Sequence, residues 1–338
     1  MCKITLADFS HKNQLAELWA EAFGDDENFI ASFLDAYMIP EYNVPVVLDK
    51  NRNNGKIASA LYLIDFDLYS DTKVLGQCAY LFAAATKKEY RNKGYMSKLI
   101  EYSSELCKSR GHKAIFLFPQ DKNQKLFDFY SKFGFKDIYA AKKITFGLGG
   151  KKTKRDLTGF KLENQDITDA GIFDGLYNSY AEFAIKQELA PIKDRFFYFK
   201  CASSYLDVSE NPDIKAYFAI FQHNFEQYVE KLCYVFYKKY KNNYYIDDII
   251  IPEYNNIHNV TSKKPAEIAE LLSDYLLNSS DNINNNINEI NIEINVPPES
   301  FSDSKNIPLA MILPLSDDIN NIISNLKKPV YINMFMNI

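Results

Sequence analysis

The chain has 338 residues, is 47% hydrophobic, and carries a formal net charge of −5 at pH 7. That length favours two domains over one, and an acidic balance without a long basic stripe argues against nucleic acid as the main partner. No uninterrupted apolar run reaches the roughly 18 residues of a membrane span, and the opening MCKITLADFSHKNQ lacks a leader's apolar stretch, so a cytoplasmic protein is expected.

In chain order, KITLAD (3–8) reads as a strand, and NQLAELWAEAFG (13–24) as a helix with Leu15, Leu18, Trp19, Ala22 and Phe23 on one face. NFIASFLDAYMI (28–39) is a second helix, stopped by Pro40. VPVVLD (44–49) is a strand, and the asparagine-glycine turn after it predicts a hairpin into KIASALYLIDFDLYS. GQCAYLFAAAT (76–86), almost wholly apolar, reads as a central strand. A helix follows from Gly94 to its glycine stop at Gly111, with Met96, Leu99, Ile100, Ser103, Leu106 and Cys107 on one face. KAIFLFP (113–119) is a short buried strand, NQKLFDFYSKFG (123–134) a helix, and FKDIYAAKKITFGL (135–148) a long strand. The glycine-rich, charged GGKKTKRD (149–156) is the expected linker between a domain at 1–148 and another at 157–338. The second half repeats the order β-α-α-β-β-β-α-β-α-β, ending with INNIISNLKK as a helix and PVYINMFMNI as a strand. The asparagine-rich 278–295 reads as a polar surface loop feeding a strand.

The five cysteines (Cys2, Cys78, Cys107, Cys201, Cys233) are odd in number and scattered, as reduced thiols are. The four histidines stand apart, so neither a metal site nor a Ser-His-Asp triad is expected.

One turn stands out. Lys87, Lys88, Arg91, Lys93 and Lys98 gather around Gly94 where a strand passes into a helix. The first N–H groups of a helix have no partner within it and carry partial positive charge, so such a turn can cradle a phosphate or pyrophosphate. The alternative is an ordinary turn with a solvated basic face. Neither the dinucleotide fingerprint nor the P-loop is present.

The order of elements and two short motifs resemble the GNAT superfamily of acyl-CoA-dependent N-acyltransferases. The family's turn, Gln/Arg-x-x-Gly-x-Gly/Ala, is matched by Arg91-Asn92-Lys93-Gly94-Tyr95-Met96, with Met96 departing from the small last position. Its second signature is matched by Asn123, Tyr130, Lys132, Gly134 and Phe135. The resemblance covers 1–148, and the bulky Met96 is similar to the tandem-domain branch of the enhanced-intracellular-survival type. It implies an α/β (α+β) chain of two tandem GNAT-like domains, each a mixed, mostly antiparallel sheet flanked by helices. The second reads as a degenerate copy, since its last glycine is Gly175 and Pro265 opens the matching helix; it either shapes the acceptor pocket or only stabilises the first domain.

The implied reaction moves an acetyl group from acetyl-CoA to a primary amine, on a small molecule or a lysine side chain, without a metal. Arg91, Asn92, Lys93, Gly94, Tyr95 and Met96 would hold the pyrophosphate. The pantetheine arm would run along Ala84 and Thr86, with an oxyanion donor at Ala84–Ala85. Asn123 would hold the arm from the other side or cap its helix, and Tyr130 would donate a proton to the departing sulfur. Glu21, Asp35, Asp65 and Asp67 are the carboxylates considered as base. In the resembling branch the terminal carboxylate reaches the site, which would bring in Ile338. A non-catalytic acyl-CoA-sensing module and a Fem-type aminoacyl transferase are the alternatives.

Overall fold

The computed structural model describes residues 2–38, 44–49, 55–119, 124–147, 156–207, 212–224, 229–252, 265–278, 291–296, 306–327 and 330. The elements begin with β1 (Cys2–Leu6), α1 (Lys12–Phe23), α2 (Glu27–Tyr37), β2 (Pro45–Asp49), β3 (Lys56–Ser70) and β4 (Lys73–Thr86). A single 3-10 turn (Lys88–Tyr90) leads to α3 (Tyr95–Ser109), β5 (Ala114–Leu117), α4 (Gln124–Ser131) and β6 (Lys136–Gly147). There follow β7 (Phe160–Asn164), α5 (Ala170–Ala184), β8 (Ala190–Ile192), α6 (Arg195–Leu206), β9 (Ile214–Asn224), β10 (Val229–Tyr240) and β11 (Asn243–Ile250). The last are α7 (Pro265–Asn278), β12 (Asn291–Val296), β13 (Asn306–Pro314) and α8 (Asp317–Asn325).

These elements form two compact units. The first comprises described residues within 1–68, 74–137 and 310–325. Its strands run in the order β1-β2-β3-β4-β5-β13. Within it β1–β2, β2–β3 and β5–β13 pair antiparallel, and β4–β5 parallel. Apolar residues on both faces of these strands require cover on both sides. On one face, Leu99 and Ile100 of α3 and Phe127 of α4 join Leu61, Leu81, Leu117 and Met311 in one buried cluster. On the other, Trp19 of α1 packs against Phe33 of α2, Tyr62 and Phe82, at ring distances of 4.9, 5.1 and 5.4 Å. Its indole N–H donates to Asp25 at 2.6 Å, so burial leaves no orphan donor there.

The second unit comprises described residues within 69–73, 138–309 and 326–338, in the strand order β6-β12-β11-β10-β9-β7. Here β11 and β12 pair parallel. Ile268 and Leu272 of α7 pack with Ile246, Ile292 and Ile294 in one cluster. Both units are mixed, mostly antiparallel sheets flanked by helices.

This allocation differs from a break at 149–156. Strand β6 pairs antiparallel with β12 from Asn291–Gly147 to Val296–Lys142, so it counts with the second unit. Strand β13 pairs antiparallel with β5, Met311 opposite Leu117 and Leu313 opposite Ile115, so residues near the end of the chain count with the first. Neither β8 nor β13 was expected. Residues 306–314 carry Pro308 and Pro314, and proline lacks the N–H of a central strand, so no strand signal stands out there. Apart from Val330, the expected final strand at 329–338 falls outside the described residues, as does all but 156 of the 149–156 linker.

Candidate active site

The expected phosphate turn and the strand before it form one continuous feature. In β4, Ala79 and Leu81 face the buried cluster of the first unit, and strict alternation would bring Ala83 there next. Instead Ala83 has φ 44°, and it is Ala84 that packs on the cluster. A non-glycine residue in the left-handed region inside a strand marks a bulge, which re-aims the residues after it. The parallel register with β5 spans only Cys78–Ala114 to Tyr80–Phe116, and β4 continues past it to Thr86. Buried Ser59 secures that extension, donating to the Ala85 carbonyl at 2.9 Å and meeting Thr86 Oγ1 at 2.8 Å.

From Thr86 the chain turns back on itself. Arg91 Nε donates to the Thr86 carbonyl at 3.1 Å, and Lys93 lies over the Tyr90 ring at 5.0 Å. Lys87 Nζ is 4.0 Å from Glu17, and the Lys88 N–H donates to Glu21 at 3.3 Å. Part of the basic cluster thus braces the turn against α1. Asn92 (φ 61°) and Gly94 (φ 73°) are both left-handed. Gly94 is the N-cap of α3, and no side chain caps that helix. Three other helices differ: Asp26, Asp169 and Asp194 accept the leading N–H groups of α2, α5 and α6. A Cβ on Gly94 would meet nothing within 4 Å, so the space where it would stand is open. Backbone donors with no side-chain cap, beside an uncrowded Gly94 and basic residues, fit a phosphate-bearing ligand.

Tyr130 lies near the end of α4, buried in the same cluster on which Ala84, Tyr95 and Met96 pack. Its ring meets Phe135 at 5.6 Å and 63°. Burial pushes its hydroxyl up to about 12, so it keeps its proton across the physiological range. The structure thus gathers Tyr130, Ala84, Tyr95 and Met96, with Ala85, Thr86 and Arg91 to Gly94 contiguous with them along the chain. Asn123 and Ile338 lie outside the described residues.

Three of the four carboxylates considered as base are engaged elsewhere. Glu21 accepts the Lys88 N–H, Asp35 pairs with Lys12, and Asp65 accepts from His112 Nε2 at 3.0 Å. Burial raises the Cys78 and Cys107 thiols, the latter to about 12, which makes both poor nucleophiles. Among the described residues no group of His, Cys, Asp and Glu could hold a metal, and no helix is long and apolar enough to cross a membrane. Sequence reasoning missed Ala83 and Ser59. The small residues of FAAAT were the only trace of Ala83, and Ser59 left none.

Comparison with known proteins bears on the fold. Residues 3–138 match the family model for an acetyltransferase (GNAT) domain. No functionally curated protein matches the chain. Among solved structures, a probable N-acyltransferase of Enterococcus faecalis aligns over 94% of this chain and 74% of its own, with TM-score 0.65 and 11% identity. A GCN5-related N-acetyltransferase of Anabaena variabilis covers 94% and 73%, with TM-score 0.63 and 13% identity. Eis1 of Mycobacterium abscessus covers 94% and 74%, with TM-score 0.59 and 10% identity. At these identities the three share its fold. Residues 3–138 thus match a GNAT acetyltransferase domain, and the chain as a whole shares the fold of these three structures.

Proposed function

We propose that the protein is a cytoplasmic acetyl-CoA-dependent N-acetyltransferase that acetylates a primary amine by direct attack on the thioester. The observation that carries this reading is the start of α3. It has left-handed Asn92 and Gly94, no side-chain cap, and open space where a Cβ would stand.

When bound, acetyl-CoA supplies an activated thioester carbonyl. The turn from Arg91 to Met96 holds the pyrophosphate through main-chain N–H groups, with Arg91 and Lys93 adding charge. The extension of β4 past Tyr80 pairs with the pantetheine arm, and a main-chain N–H at Ala84–Ala85 serves as the oxyanion donor. Tyr130 donates the proton that the departing sulfur takes up. Titrating at about 12, Tyr130 still holds its proton when the thiolate leaves, and the proton released by the attacking amine restores it afterwards. The acceptor must arrive neutral or lose a proton in the site.

Incubation of the full chain with acetyl-CoA and a panel of primary amines tests the reading. Release of free thiol that depends on the amine is the expected result. Tight coenzyme A binding without turnover on any amine would favour a non-catalytic acyl-CoA sensor. The engagement of Glu21, Asp35 and Asp65 is the observation on that side.

A further inference from the structure

Tyr130 stands on a helix of only eight residues, α4, which has little stability of its own. Its position therefore depends on what packs against it. The helix ends in a tight turn, in which the Phe133 N–H donates to the Tyr130 carbonyl at 3.0 Å and the Gly134 N–H to Ser131 at 3.0 Å. Gly134 is left-handed, with φ 90°. The Leu313 Cδ1 methyl lies 3.3 Å from where a side chain on Gly134 would begin. Leu313 and Met311 belong to one buried cluster with Tyr130, Phe127 and Phe135.

Both residues come from β13, more than 170 positions further along the chain. The antiparallel register with β5 fixes which way they face. Met311 and Leu313 lie opposite Leu117 and Ile115, which are in the same cluster. Ile312 lies opposite Phe116, whose ring stacks on Tyr80 at 5.0 Å in the other layer. The segment is anchored beyond the strand as well. The Leu315 N–H donates to the Lys113 carbonyl at 2.9 Å, and Lys113 pairs with Asp318 at 3.1 Å.

From this arrangement we infer that Leu313, with Met311, is a positioning residue for acyl transfer: the C-terminal strand β13 seats the end of α4 and so aims the Tyr130 hydroxyl. The inference rests on the proton-donor role proposed above for Tyr130. A misplacement of about 1 Å at a reacting group lowers a rate about a hundredfold. Shortening Leu313 leaves a cavity into which the end of α4 can relax.

The test compares Leu313→Ala with Ile312→Ala in the full chain. Ile312 is equally part of β13 and fully buried, but faces away from Tyr130. Thermal unfolding of both variants measures the loss of packing, and thiol release gives kcat and the donor KM. The expected result is a fall in kcat of about tenfold or more for Leu313→Ala, with donor KM within about twofold of the parent. Ile312→Ala should be destabilised to a similar degree and keep kcat within about twofold. Leu313→Met should restore most of the lost rate. Equal losses of kcat in the two alanine variants, or none in Leu313→Ala, would overturn the inference while leaving the transferase reading intact. No thiol release by the unaltered chain would overturn that reading and the inference with it.

Discussion

The first unit links parallel β4 and β5 through α3, and the second links parallel β11 and β12 through α7. The same crossover is therefore built twice, but the two helices begin differently. Gly94 heads α3 in a left-handed conformation with open space beside it. Pro265 is the first residue of α7, and no glycine occurs after Gly175. Proline has no N–H to offer an anion, and without glycine the chain seldom takes the left-handed turn that lets a phosphate approach the backbone. On the proposed reading, the first few residues of each crossover decide whether a phosphate can be held. The second unit also buries an ammonium group. Lys193 is fully buried, with its nitrogen over the Tyr180 and Tyr198 rings at 5.4 and 5.5 Å and without a hydrogen-bond partner among the described residues.

The contrast can be attacked at its strongest point through Tyr130→Phe. If Tyr130 is the proton donor, as proposed, its loss should lower kcat by about a thousandfold with donor KM little changed, since a placed general acid contributes about two to four orders of magnitude. Because the hydroxyl titrates only near 12, the parent's rate should show no alkaline fall from this group below about that pH. Equal kcat in parent and variant would remove Tyr130 from the mechanism.

Next in size is Lys193→Met. Burial lowers the lysine from 10.5 to about 8, although Cys201 and Asp248 pull the other way. That shift corresponds to about 3 kcal/mol held against the fold at neutral pH. The penalty is complete below about pH 8, where folded and unfolded chains both carry the proton, and is relieved as pH rises towards 10.5. Denaturant unfolding should therefore show the parent gaining stability across that window. The methionine variant should be about 3 kcal/mol more stable at pH 7, with most of that rise gone. A variant no more stable than the parent would mean that the amine is better satisfied than its surroundings indicate. Tyr180 and Tyr198, both raised by burial, act in the opposite sense above about pH 10.

Gly94→Val should weaken coenzyme A binding by about a hundredfold, a change of about 2.7 kcal/mol. Valine is strained at φ 73°, and its side chain would occupy the open approach. Calorimetry reads this directly, and unchanged affinity would place the phosphate elsewhere.

Much of this was legible in the sequence, for reasons that also mark where legibility ended. The passage from β4 into α3 showed because a lone glycine amid basic residues interrupts a clear apolar periodicity, and α4 showed because Tyr130 stands at a fixed spacing from Gly134 and Phe135. The bulge at Ala83 did not, because CAYLFAAAT is apolar at nearly every position and carries no alternation from which a phase change could be read. Strand β13 was hidden by its two prolines, and its partner β5 lies nearly 200 residues away. Order along the chain constrains such long-range pairing only weakly. The engagement of Asp65 by His112 and of Glu21 by the Lys88 N–H likewise joins residues 47 and 67 positions apart.

Amide hydrogen exchange on the full chain, with and without coenzyme A, asks both crossovers the same question at once. The account predicts slowed exchange in peptides spanning 92–98 and no change in those spanning 265–272. Protection at the start of α7, or none at the start of α3 while the ligand is bound, would contradict it.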